Sequence, residues 1–255
     1  LLSDLSSMRA RFVVESRRWD LMANERNFGN INELCAIGFA AARSGNPSLA
    51  ELARQALAGR SQAAEEGDMR PAAAIMERQV AATIAQVAGR GAEAVAILQT
   101  ASAAERQLPP PLGLPIPLKP TAELLGEMLI DAGKPAEAVR AFEDALSRSR
   151  NRTLSVLGLA RASAALGQAD AARGHYERVL ANFSRADAGV AEVAEARTYL
   201  ASSAAWINRP LLWAGGAIAG LVAVGLAAYK RRQYARPEKP IEAGARARER
   251  RKARR

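Results

Sequence analysis

A self-similarity at fixed spacing constrains this chain more than any other feature. The run DAGKPAEAVRAFEDAL, Asp131 to Leu146, returns 34 residues later as ALGQADAARGHYERVL, Ala165 to Leu180. Gly133 then pairs with Gly167, Ala138 with Ala172, Phe142 with Tyr176, Glu143 with Glu177 and Leu146 with Leu180. Upstream, Leu125 pairs with Leu159 and Gly126 with Ala160, whereas Ala136 faces Asp170 and Glu137 faces Ala171. An earlier copy, VAGRGAEAVAIL, sets Gly89, Ala92, Glu93, Ala94 and Val95 on Gly133, Ala136, Glu137, Ala138 and Val139 at an offset of 44. The insert PPPLGLPIPLKP takes up the excess of ten. A fainter copy places Gly38, Gly45, Pro47 and Ala50 at the corresponding positions. Two good repeats and two degenerate ones imply units that cannot bury their apolar faces alone and must stack.

The residues of the unit say what it is. A helix ends at Gly133, which takes the left-handed conformation at low steric cost, and Pro135 starts the next where no amide hydrogen is needed. Pro47 does the same after Gly45. Each unit therefore reads as a helical hairpin, with Gly126, Ala138 and Ala145 letting backbones approach and Leu125, Leu129, Phe142 and Leu146 filling the space between helices. Aromatic residues are only 5% of the chain, which suits closely packed helices better than strands. An all-α fold is expected.

Leu125, Gly126, Leu129, Gly133, Ala138, Phe142 and Ala145 fall on the hydrophobic and small positions of the tetratricopeptide repeat, whose period is also 34. The chain resembles that family, most strongly over 121–184 and weakly before 108. It departs from the motif where the early tryptophan is absent, where the tyrosine is Leu129 and then Ser163, and where the late proline is Arg150. More narrowly, the order of a Pro-rich insert, ELLGEMLIDAGKPAEAVRAFEDAL, NRTLSVLGLARASAALG and a closing AEARTYLA resembles the C-terminal half of a group of bacterial tetratricopeptide proteins, over most of 8–202. Such proteins carry further repeats upstream, and the chain begins with Leu1, so a longer protein is expected. The resemblance implies a helical-hairpin solenoid over 1–204, with an insert over 108–120 and a closing helix at about 190–203.

It also implies that a concave face, lined by the first helix of each pair, binds a protein or peptide partner without catalysis. In the best unit that face should present Glu123, Glu127 and Asp131, with Arg161 from the following unit. Carboxylates one turn apart on an Ala-rich helix read as a solvated face; acid–base work needs a pocket that separates their proton affinities. A clamp for a partner's terminal carboxylate needs Lys, Arg and Asn donors. Glu123 and Glu127 have the opposite sign, so a basic or mixed-charge peptide is expected.

Other chemistry is thinly represented. Cys35 is the sole cysteine and His175 the sole histidine, which leaves no intrachain disulfide and makes any imidazole-based site rest on one residue. GRGAEA at Gly89 and GGAIAG at Gly215 lack the preceding strand and the Lys-Ser/Thr ending of a phosphate loop. The insert reads as a rigid connection between hairpins or as a polyproline ligand. No cofactor or metal is expected.

The stretch Leu211 to Tyr229, LLWAGGAIAGLVAVGLAAY, holds 19 residues without a charge or an amide. At about 1.5 Å per residue it would reach about 28 Å, close to the roughly 30 Å of bilayer hydrocarbon. Trp213 and Tyr229 sit near its ends, and a transmembrane helix over 208–229 is expected. Gly216 and Gly220 form GxxxG, a face on which a partner transmembrane helix packs closely, though an Ala- and Gly-rich span carries such spacing by chance as well. Lys230, Arg231, Arg232 and Arg236 follow directly, and this basic cluster places the tail over 230–255 in the cytoplasm, disordered in isolation, and the solenoid outside it, in the periplasm of a bacterium.

Charge is distributed accordingly. The tail holds 12 of the 36 Lys and Arg and 3 of the 26 Asp and Glu, so it carries +9 of the formal +10. Its last ten residues, Arg246 to Arg255, RARERRKARR, lack aromatics for base stacking, and an anionic lipid surface is a nearer partner than nucleic acid. The sequence thus predicts a membrane-anchored interaction scaffold, with an accessory subunit of a larger membrane complex as the alternative.

Overall fold

The structure, a computed structural model, describes residues 2–63, 69–109, 116–187 and 189–207. The chain divides into two compact units, Leu1–Ser203 and Ala204–Arg255. The expected span with Gly216 and Gly220, and the basic cluster Lys230, Arg231, Arg232 and Arg236, lie outside the described residues. Among the described residues no helix is long and apolar enough to cross a membrane, and none of the backbone is strand.

The helices are α1 (Leu2–Ser16), α2 (Ile31–Arg43), α3 (Pro47–Gln62), α4 (Arg70–Val87), α5 (Gly91–Glu105), α6 (Thr121–Asp131), α7 (Pro135–Arg148), α8 (Thr153–Ala165), α9 (Ala169–Asn182) and α10 (Ala191–Ile207). A single 3-10 turn, Trp19–Leu21, follows α1. Helices α2 to α9 pair into four hairpins, α2/α3, α4/α5, α6/α7 and α8/α9, and each second helix packs on the first helix of the next pair.

The four hairpin turns are built alike. Gly45, Gly89, Gly133 and Gly167 take φ of +78°, +77°, +69° and +71°. The amide of the residue after each one donates back across the turn: Asn46 to Ala41, Arg90 to Ala85, Lys134 to Leu129 and Gln168 to Ser163, at 2.8–2.9 Å. This is the bond that satisfies the carbonyls a helix end leaves unpaired. Pro47 and Pro135 then open the second helix, and Asn46 and Asn30 cap α3 and α2 by accepting from backbone amides.

Packing keeps the same register. Ala50, Ala94, Ala138 and Ala172, each five residues beyond its turn glycine, are wholly buried. Leu98, Phe142 and Tyr176 follow as the large residue of the second helix, while the first hairpin has Arg54 there, paired with Glu51 and Glu77. Phe142 presses between α6 and α8, so that a Cβ on Gly126 would fall 2.7 Å from its ring and one on Gly158 only 2.2 Å. The sequence marked Gly126 as a close-approach position. It gave no sign that Gly158, outside the aligned repeat positions, meets the same ring.

Helix α1 belongs to no hairpin. Ser7 Oγ accepts from Asn30 Nδ2 and Asn32 Nδ2 at the start of α2, both at 3.2 Å. Past the other end of α1, Trp19 lies under Arg43, the last residue of α2, 5.0 Å from ring centroid to guanidinium carbon. The two helices therefore run in the same direction, unlike the antiparallel partners of a hairpin, and bury Ala10, Val13 and Val14 of α1.

Candidate functional site

The face built by the first helices is fixed from its floor upward. Buried Gln79 of α4 donates to the carbonyl of Lys119 at 2.7 Å and to Thr121 Oγ1 at 2.8 Å. Glu105 accepts from the Thr121 amide at 2.7 Å, capping α6 from a neighbouring helix. The end of the insert is thereby held so that Lys119 stands one turn before Glu123. Its Nζ donates to Glu123 Oε1 at 2.8 Å and to Glu127 Oε1 at 3.1 Å.

From the start of α8, Arg152 Nε donates to Glu123 Oε2 at 2.6 Å, Nη2 to Oε1 at 2.9 Å, and Ser155 Oγ to Oε2 at 2.6 Å. Glu123 is wholly buried. It is not the solvated groove residue the sequence predicted. Burial alone would raise its proton affinity, but Lys119 and then Arg152 outweigh burial and hold the carboxyl down at about 2. Burial acts to lower Lys119, and Glu123 and Glu127 reverse it, leaving the ammonium more firmly protonated than usual. The spacing of Glu123 and Glu127 was visible in the sequence. What was not visible is that Lys119, inside a Pro-rich insert, and Arg152, 29 residues ahead, converge on the first of them.

The other three predicted groove residues do reach a common space. Glu127, Asp131 and Arg161 line a cavity of about 270 Å³, together with Arg17 and Arg43. Arg161 Nε donates to Glu195 at 2.8 Å, and that carboxylate also accepts from Tyr176 Oη at 3.0 Å. Asp131 is met by Gln86 Nε2 at 3.4 Å. Arg43 is exposed, yet protein surrounds it enough to lower its proton affinity, with Glu127 acting against that. This is a guanidinium standing inside a concavity, and the cavity carries both signs of charge.

The end of α1 and the residue after it complete the face. Arg17, with φ of +57°, donates to Glu127 Oε1 at 3.1 Å. Glu15 accepts from Arg152 Nη2 at 2.8 and 3.1 Å. These contacts bridge 110 and 137 residues of chain and lay the end of α1 across the face. Beside it opens a groove of about 1160 Å³ between the end of α1 and the starts of α8 and α10, with Phe12, Phe183 and Val190 on its walls. The sequence assigned no role to Glu15 or Arg17, since their partners lie more than a hundred residues away.

The repeat-defining residues take packing positions. Leu125, Leu129, Ala138, Phe142, Leu159, Ala172 and Tyr176 are buried, and Gly126 and Gly133 serve as close approach and turn, as Gly167 does at the next turn. Cys35 is buried, with its thiol pushed up by desolvation. Among the described residues no three His, Cys, Asp or Glu side chains are grouped to hold a metal ion.

These features define a stack of α-helical hairpins whose first helices present a charged concave face. Residues 129–192, from the last turn of α6 into α10, match the tetratricopeptide repeat family. Repeats of that family are in general non-catalytic modules that bind protein or peptide partners. Comparison with curated proteins gives no match.

Proposed function

We propose that this protein is a membrane-anchored tetratricopeptide scaffold whose concave face binds a mixed-charge segment of a partner protein, without catalysis of its own. The observation that carries the reading is the cavity where Glu127 and Asp131 face Arg17, Arg43 and Arg161. Opposite charges within one concavity favour a segment that offers both a carboxylate and a cation, and they disfavour segments of a single sign. The anchor rests on Leu211 to Tyr229 and the basic run behind it. With that run in the cytoplasm, the solenoid faces the extracytoplasmic side.

Site-specific photo-crosslinking tests the face. Val87 lines the cavity and is 56% exposed, whereas Leu52, on second helix α3, is 49% exposed. A crosslinker at Val87 should trap a discrete partner in membranes, and one at Leu52 should not. Equal trapping from both positions would reject the face as the site. Deleting 205–255 separates the alternative: a scaffold keeps its partner in a detergent pull-down, and an accessory subunit packed through Gly216 and Gly220 loses it.

A further inference from the structure

The contacts made by the end of α1 have an asymmetry. Behind them stand groups already fixed by buried partners. Arg152 is oriented by Glu123, and Glu123 in turn by Lys119 and Ser155. Glu127 is held by Lys119. In front, Glu15 and Arg17 are more exposed, at 30% and 38% of the side chain, than the 16% and 23% of Arg152 and Glu127 that they meet. The rear groups are thus tied to partners other than the front ones. The quartet of Lys119 and Arg152 against Glu123 and Glu127 is neutral, so it asks its occupant for one carboxylate and one cation.

We infer that Glu15 and Arg17 occupy two preorganised slots for a partner segment, and that a mixed-charge partner displaces them. The partner's carboxylate takes the outer Nη2 of Arg152 and its basic side chain takes Glu127. This deepens the reading of the concave face as the partner site, and rests on it. The open groove beside α1, with Phe12, Phe183 and Val190, gives such a segment an apolar seat and a route in. Because the chain's own residues compete for the slots, the intact protein binds more weakly than its slots would allow, by the fraction of time they stand open.

The probe is the chain's own segment Val13–Met22, VVESRRWDLM, as a fluorescent peptide read by anisotropy against the full-length protein. The E15Q/R17Q protein should bind it at least about tenfold more tightly than wild type. A peptide with the two charges exchanged, VVKSERWDLM, should bind either protein at least about tenfold more weakly than the native peptide, because like charges would face Arg152 and Glu127. Equal binding by wild type and variant, or of both peptides, would overturn the inference.

A second measurement covers the case in which the variant does not fold. Spin labels at Arg18 and Asn151, both exposed on the groove, should give one short distance in an otherwise wild-type chain, and the native peptide should lengthen it. An unmoved distance under saturating peptide would equally overturn the displacement. The crosslinking from Val87 stays independent. Partner trapping there, with no discrimination between the peptides, removes the displacement and leaves the face. Absence of trapping, with discrimination intact, removes the face's role for a partner and leaves the slots.

Discussion

Glu123→Gln should lower stability at neutral pH by about 3 kcal/mol. The change keeps the shape of the side chain and leaves Lys119 and Arg152, whose side chains are 6% and 16% exposed, without their central counter-charge. Removing one member of a buried, hydrogen-bonded ion pair costs about 3–5 kcal/mol. Proton linkage gives the same scale. Holding the carboxyl near 2 in place of its ordinary 4.5 corresponds to about 3 kcal/mol, at about 1.4 kcal/mol per factor of ten. Glu127 and Glu15 remain as partial counter-charges, which favours the lower end. The assay is urea unfolding followed by circular dichroism. With a slope of about 2–3 kcal/mol per molar, the midpoint should fall by about 1–1.5 M. The pH dependence carries the sign: because the folded carboxyl is the more acidic, its contribution is full above 4.5 and fades as pH falls toward about 2. The wild-type and variant midpoints should therefore converge on acidification. A loss under about 0.5 kcal/mol, the scale of an exposed substitution, or a gap that does not close in acid, would refute the buried-cluster account.

Further outcomes follow from the same geometry. Gly158→Ala should destabilise by about 1–3 kcal/mol because its Cβ has no room beside Phe142, and adding Phe142→Leu should recover part of that loss in the same urea assay. Arg161→Ala breaks a pair whose side chains are each 32% exposed; stability should change by less than about 1 kcal/mol, while crosslinking of a partner from Val87 should drop. Deleting 208–255 should release the protein from carbonate-washed membranes, and retention would remove the anchor. Gly244→Cys in intact cells should resist an impermeant maleimide applied from outside; buried Cys35 adds no background.

The repeat was legible because it rests on local geometry. A turn glycine with positive φ and an alanine five residues on are required by one hairpin's own backbone, so they recur wherever a hairpin recurs, even across offsets of 44. The three groove residues Glu127, Asp131 and Arg161 were legible for a similar reason, since helical spacing alone sets which side of α6 and α8 they occupy. Lys119, Arg152, Glu15 and Arg17 obey no such rule. Lys119 depends on how Gln79 and Glu105 hold the end of an insert, and α1 runs parallel to its neighbour where a repeat would turn back. Periodicity carries no information about either.

The misplacement of Glu123 shows where that boundary lies. Helical spacing put Glu123 and Glu127 on one face, and they are on one face, yet one is 0% and the other 23% exposed at the side chain. Two cations from outside the helix decide the difference. Lys119 comes from the insert and Arg152 from the next hairpin, so the carboxylate that begins α6 is spent joining two repeats across an interruption of the array. The next carboxylate, one turn further on, is left reaching the cavity. The insert that breaks the 34-residue period thus also supplies a lysine that bonds both carboxylates of one acidic helix face, the buried tie and the one that reaches the cavity. Lys119→Met tests that division: it should lower stability, and it should also weaken native-peptide binding to the E15Q/R17Q protein, because Glu127 would lose the group that aims it.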